Sequence, residues 1–313
     1  SYVTHWGNWT APLGRIPAAF LDVAHKNGVA VSGVAGVPYG GLSSAYKAMM
    51  AGLYNVGAKK ASQFFNYYGI DGMGYNSEFS DYSGTVDDLR DFHADLMKQM
   101  KAKNPIFMNF WYDGTNDAGS IQFDQGLGSH NQETFGDSKN PRTSLFFNYN
   151  WNKESLLSGS VTKAESMKRD PLDLYAGINM QGGEPANLPW SLLGKYRISI
   201  GLWGAHSYNM FWESRGEQGS SEDAKQNTYL ERVERYFTGG TRNPANCPSV
   251  MSGNQYNAKN YKWHGISTFV TAHSALSWDL GEEPFITYFN LGNGKFFNLN
   301  GERKTSTDRK SVV

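Results

Sequence analysis

Eight short apolar runs, rich in aromatic and β-branched residues, recur along the chain, and most are separated by stretches of helical periodicity. They lie near Tyr2–Trp9, Val29–Gly36, Gly69–Glu78, Ile106–Asp113, Thr143–Trp151, Leu172–Gln181, Ile198–Ser207 and Pro284–Leu291. Between the first two, Ile16, Phe20, Val23 and Ala24 share a helical face, and Asn27-Gly28 supplies a C-terminal cap. Thr85–Lys103, Leu156–Arg169 and Ser221–Phe237 read as helices in the same way. Strands alternating with helices are joined by crossovers, which means a parallel sheet. Eight such units in 313 residues predict an α/β protein with a closed (β/α)8 TIM barrel as its single domain. A long polar stretch, about 213–262, is expected as an insertion between strands seven and eight, a helix plus a loop at the barrel mouth.

Composition narrows the partner. The 29 basic and 29 acidic residues cancel, so the chain lacks the basic excess that nucleic acid requires. No run of about 18 apolar residues occurs, so no membrane insertion is expected. Aromatic residues make up 14% and Gly numbers 35, a mixture suited to tight loops and to ring faces that stack sugars. The one cysteine, Cys247, rules out an intrachain disulfide, which fits bacterial export to the periplasm, surface or medium as well as the cytosol. The seven histidines show no metal-ligand spacing beside a carboxylate. No metal, no cofactor and a monomeric state are therefore expected.

In a barrel the reactive groups stand at the C-terminal ends of the strands. Here those ends turn polar and aromatic: Asn76 and Glu78 on the third run, Trp111, Tyr112 and Asp113 on the fourth, Asn148 and Trp151 on the fifth, Asn179 on the sixth, with Trp212 just past the seventh. Such a rim describes a carbohydrate cleft. Side chains of a strand repeat every two residues, so Asn76 and Glu78 share a face with Cα atoms ~6–7 Å apart. A retaining glycosidase ordinarily needs a second carboxylate as nucleophile. An amide cannot serve as one, but it can hold a substrate's 2-acetamido group while that group's oxygen attacks the anomeric carbon. Asn76 would donate to the acetamide, and Glu78 would be the general acid and then the base.

The string Asp71-Gly72-x-x-x-Asn76-x-Glu78 resembles the DGxDxDxE signature of family 18 chitinases, with Gly74 and Asn76 in place of two aspartates. Its Asn-x-Glu core is similar to that of glycoside hydrolase family 85, the endo-β-N-acetylglucosaminidases. Trp111-Tyr112-Asp113 with Gly119 and Phe123, Phe147 through Trp151, Arg169 through Ile178, and Pro284 through Gly294 resemble further blocks of that family in order. The resemblance implies cleavage of the GlcNAc-β1,4-GlcNAc core of N-glycans on a glycoprotein through an oxazoline. It also implies Tyr112 as a hydrogen-bond partner of that oxazoline and Trp151 as a wall of the sugar site. Phe123 stands where the family has Trp, and Asn179 where it has Asp. Two alternatives stay open: a conventional or chitinase-like glycosidase pairing Glu78 with Asp71 or Asp113, and a glycan-binding barrel without catalysis.

Overall fold

The computed structural model describes residues 2–9, 16–180, 189–204, 221–239, 265–270, 296–299 and 302–305. Seven strands form one sheet: β1 (His5–Trp9), β2 (Ala30–Gly36), β3 (Gly72–Asn76), β4 (Met108–Tyr112), β5 (Ser144–Phe146), β6 (Leu174–Asn179) and β7 (Ser199–Trp203). They pair in chain order, and every pairing is parallel. Each strand thus lies beside its predecessor, and the strand twist curls such a sheet into the wall of a barrel. The fold is α/β with a curled parallel sheet. The expected eighth strand, Pro284–Leu291, lies outside the described residues, as does most of the 213–262 insertion.

The helices follow from local chemistry. α1 (Ala18–Lys26) precedes β2, while α2 (Ser44–Val56) and α3 (Ala58–Tyr68) both precede β3. The Ser43 hydroxyl accepts the Tyr46 N–H at the start of α2, and α3 ends at Gly69 with φ 66°, where a side chain would be strained. α4 (Thr85–Lys101) carries Asp87 and Asp88 in its first turn and Lys98 and Lys101 in its last, complementing its dipole. Its buried stripe of Val86, Leu89, Phe92, Leu96 and Met100 packs in the core. Beyond β4 come α5 (Gln132–Phe135), α6 (Glu154–Ser166), α7 (Ser191–Lys195) and α8 (Glu222–Thr238). The pair α2–α3 has no counterpart in the sequence reading, because three aromatic residues of α3 (Phe64, Tyr67 and Tyr68) face solvent and blur its apolar stripe. A small antiparallel ribbon, Phe296–Leu299 with Glu302–Thr305, is also unforeseen. Among the described residues, no helix is long and apolar enough to cross a membrane.

Asp71 staples the N-terminal end of this sheet. Its backbone bonds both neighbours: its N–H donates to the Val31 carbonyl, and its carbonyl accepts from the Met108 N–H. Its Oδ2 accepts the Val31 N–H at 2.8 Å and lies 2.7 Å from His25 Nε2, while Asn104 Nδ2 donates to Oδ1 at 2.9 Å. With 5% of its surface exposed, this carboxylate organises β2, β3, α1 and the turn into β4. Removing it leaves the Val31 N–H without its side-chain acceptor. We expect Asp71→Ala to lower unfolding stability by about 2–3 kcal/mol, read from urea titration. A loss under about 0.5 kcal/mol, typical of a surface site, would contradict the staple.

Candidate active site

The opposite ends of β3 and β4 build the site. β3 stops at Asn76, and residues 77–80 turn across the mouth. Phe79-Ser80 pairs with Gly40-Gly41, linking this turn to the one after β2. Ser77 is fully buried, and its hydroxyl donates to the Tyr112 carbonyl at 2.6 Å. Thr115 Oγ1 accepts the Phe79 N–H at 3.0 Å and shares its own proton between the carbonyls of Ser77 (2.8 Å) and Phe79 (2.7 Å). Glu78 is therefore held between two pinned neighbours. Gly114 lets it lie close: a Cβ there would stand 2.5 Å from the Ser77 carbonyl oxygen and 3.2 Å from Glu78 Cγ.

Asn76 and Glu78 meet directly. Asn76 Nδ2 donates to Glu78 Oε2 at 2.8 Å and to the Val37 carbonyl at 3.3 Å. Both amide protons are engaged, so the expected donation from Asn76 to an acetamide has no free proton, and Oδ1 is left as an acceptor. Tyr112 joins them from β4: Asn148 Nδ2 donates to its hydroxyl at 2.6 Å, and its ring centre lies 6.0 Å from that of Phe123. Burial raises the Tyr112 phenol above its usual range, and the Glu78 carboxylate raises it further. The phenol therefore stays protonated and able to donate at working pH. Asn76 and Tyr112 line a cavity of about 810 Å³ on the inner face of the sheet, with Trp6 and Trp203 also in its wall. That volume suits a small-ligand site, for which about 300–1,000 Å³ is usual.

The structure does not bring every expected residue to the cleft. Trp111 is 1% exposed, and its Nε1 donates to the Thr115 carbonyl at 2.9 Å. Strand alternation explains this: if Tyr112 faces inward, Trp111 must face the helices, where it meets Tyr75, Phe79 and His93. Trp151 is also fully buried, with Nε1 donating to the Gly177 carbonyl at 2.7 Å, so it packs the core instead of walling a sugar site. Asn148 contacts Tyr112, and Asn179 ends β6 half-buried. Trp212 lies outside the described residues. Tyr149 was missed: it lines the same cavity and stands 5.8 Å from Tyr112 ring to ring. The one signal for it in sequence is its place beside Asn148 at a strand end. Among the described residues, no group of three or more His, Cys, Asp or Glu side chains could hold a metal ion.

Asp113 is placed as an anchor. It is 2% exposed, and it accepts from the Asp124 N–H (3.3 Å), the Gln125 N–H (2.6 Å) and Asn131 Nδ2 (3.2 Å). Burial, reinforced by the Asp124 carboxylate, pushes its pKa from 3.8 up to about 8 against the pull of those three donors. An acid with a raised folded pKa keeps a proton that the unfolded chain has released. This contribution to stability is complete below pH 3.8 and is lost as pH rises through about 8. Relative to Asp113→Asn, the native chain should lose stability steadily over that window in denaturant titrations at stepped pH. Parallel stability curves would contradict the assignment.

Comparison with known proteins places this site in a lineage. Residues 2–297 match the model of Glycosyl hydrolase family 85. The chain is 25% identical over 242 residues to the cytosolic endo-beta-N-acetylglucosaminidase of Homo sapiens, a match covering 75% of this chain and 31% of the relative. It is 25% identical over 196 residues to the protein of the same name in Gallus gallus, covering 59% and 26%. The matches thus span about a third or less of these relatives' length. In structure it resembles the glycoside hydrolase domain of Endo-D from Streptococcus pneumoniae R6, with a TM-score of 0.61 at 22% identity over 79% of this chain and 38% of that one, a likeness of fold. Matched along nearly its whole length by one family model, the chain belongs to glycosyl hydrolase family 85.

Proposed function

We propose that this chain is a retaining endo-β-N-acetylglucosaminidase that cleaves the GlcNAc-β1,4-GlcNAc core of N-linked glycans, with the substrate's own acetamide as nucleophile. Membership in the family and the names of the relatives support the activity. The observation that carries the mechanism is the Asn76 amide bonded to the Glu78 carboxylate at 2.8 Å, with the Tyr112 phenol on the same cavity wall. The carboxylates a conventional double displacement would use are committed elsewhere. Asp71 holds the far end of the sheet, and Asp113 is buried against a loop. The closed eight-stranded barrel remains part of this reading.

Asn76 Oδ1 accepts the acetamide N–H, and the Tyr112 hydroxyl donates to the acetamide carbonyl, fixing that oxygen behind the anomeric carbon. The oxygen forms a bond to the anomeric carbon as the glycosidic C–O bond breaks. Glu78 gives its proton to the departing oxygen, which leaves as GlcNAc on the peptide. The oxazolinium that results is opened by water at the anomeric carbon, with the Glu78 carboxylate taking the water's proton. Two inversions restore the original configuration. Holding the acetamide in its attacking pose is a positioning effect that supplies several kcal/mol of the barrier reduction.

A high-mannose glycopeptide read by mass tests the activity: loss of the glycan with one GlcNAc left on the peptide supports it. Cleavage of chitin oligomers alone, or binding without turnover, contradicts it. Glu78→Gln should reduce hydrolysis by about 10²–10⁴-fold while glycan binding is retained. A rate within about threefold of the native chain would remove Glu78 from the acid–base role. Asn76→Ala should hydrolyse the intact glycan poorly but still join a preformed Man-GlcNAc oxazoline to a GlcNAc-peptide, since the oxazoline bypasses the step that Asn76 assists. If the native chain hydrolyses N-glycans and neither protein consumes the oxazoline, the substrate-assisted assignment fails.

A further inference from the structure

We propose that Asn148 is a positioning residue that fixes the direction of the Tyr112 hydroxyl proton, turning it away from the protein and toward the bound acetamide. This rests on the reading of Tyr112 as the acetamide's hydrogen-bond donor. A phenol carries one proton and accepts through its lone pairs, so its usefulness as a donor depends on where that proton points. Left alone, the proton would rotate toward any nearby acceptor. At Tyr112 the Asn148 amide presents a donor instead.

The Asn148 amide donates to the Tyr112 oxygen at 2.6 Å. Its orientation is locked, because its Oδ1 accepts the Tyr149 N–H at 2.7 Å and the Asn150 side chain at 3.4 Å. Turning the amide over would aim Oδ1 at Tyr112 and face an NH₂ group with the Tyr149 N–H. The Tyr149 ring flanks the phenol, 5.8 Å from the ring of Tyr112 and 6.3 Å from that of Phe146. With the Asn148 amide donating to one side of the phenol oxygen, the Tyr112 proton turns to the other side, into the cavity that Tyr112 and Tyr149 both line.

The segment carrying these residues is itself fixed. Gln125 Oε1 accepts the Asn150 N–H at 2.9 Å, and the Gln125 N–H donates to Asp113 Oδ2 at 2.6 Å. Gln125 adopts φ 59°, a left-handed conformation that a glutamine holds only when its neighbours enforce it. A chain of contacts therefore runs from buried Asp113 through Gln125 to residues 148–150 and on to the Tyr112 hydroxyl. Asp113, read from sequence as a cleft residue, acts here from behind the cleft.

The test is a double-mutant cycle on the 313-residue chain with two readouts. One is glycopeptide turnover. The other is calorimetric binding of a GlcNAc-thiazoline, the sulfur isostere of the oxazoline. Asn148→Ala should lower kcat and thiazoline affinity roughly tenfold, about one hydrogen bond's worth, with the glycopeptide KM within about twofold. In a Tyr112→Phe background the same change should do almost nothing further, since there is no proton left to direct. Asn148→Asp should not rescue: its carboxylate would accept the Tyr112 proton and turn it inward, whereas a merely structural role would tolerate the near-isostere. Equal losses in both backgrounds, or full activity in Asn148→Asp, overturn the proposal. If the native chain cleaves no N-glycan yet binds the thiazoline with this non-additive pattern, the cleavage reading fails and the positioning stands. If it cleaves and the losses add, the positioning fails alone. A native chain that does not bind the thiazoline also overturns it.

Discussion

The hydrogen bond from the Ser77 hydroxyl to the Tyr112 carbonyl joins the ends of two neighbouring strands at the point where the chain leaves the sheet. β3 and β4 are already paired up to Tyr75 and Trp111, and this bond carries the link on into the turn that bears Glu78. With it, and with Thr115 binding both sides of the 77–79 turn, the three groups share one rigid base. The residues that achieve this are buried hydroxyls, short side chains that can satisfy backbone groups where a strand ladder has ended. Gly114 completes the arrangement by leaving room for Glu78 to lie against the β4 turn. The placement of Asn76, Glu78 and Tyr112 thus depends on the buried side chains behind them.

The two ends of the sheet divide the work. Asp71 at the N-terminal end is fully hydrogen-bonded and joins β2, β3 and β4, a stabilising role. Asn76, five residues further along the same strand, is at the end where barrel enzymes act. Both residues belong to a single sequence motif, and only their positions along β3 separate their roles. Asp113 shows the same separation over a shorter distance. It follows Tyr112 directly, yet its carboxylate points into the loop that carries Phe123, Asp124 and Gln125.

Most of the architecture was legible in the sequence because it rests on local signals. Seven of the eight expected runs contain the observed strands, and the helices at Thr85 and Glu222 begin within a residue of where their caps predict. Asn76 and Glu78 were expected to share a face by strand spacing; β3 in fact ends at Asn76, and it is the following turn that brings the two side chains within 2.8 Å. What escaped depends on packing across elements. Tyr149 meets Tyr112 only because β4 and β5 are adjacent. Trp111 was read as a cleft residue from its place at a strand end and Trp151 as a sugar wall from the family resemblance, but large rings are equally the best filling for the space between sheet and helices. For Trp111, alternation along β4 already excluded sharing the inner face with Tyr112. For Trp151, the deciding contact is a carbonyl 26 residues away in β6.

The central claim is that a nucleophile held in the complex, the substrate's acetamide, and not an activated water, attacks the anomeric carbon first. The stereochemistry of the first product reports on this directly. Proton NMR of the native chain acting on an N-glycopeptide, recorded before mutarotation equilibrates the released sugar, resolves the anomeric proton of the new reducing GlcNAc. Two successive displacements predict that the β-anomer appears first and the α-anomer only with mutarotation. Initial release of the α-anomer would mean a single displacement by water and would contradict the account.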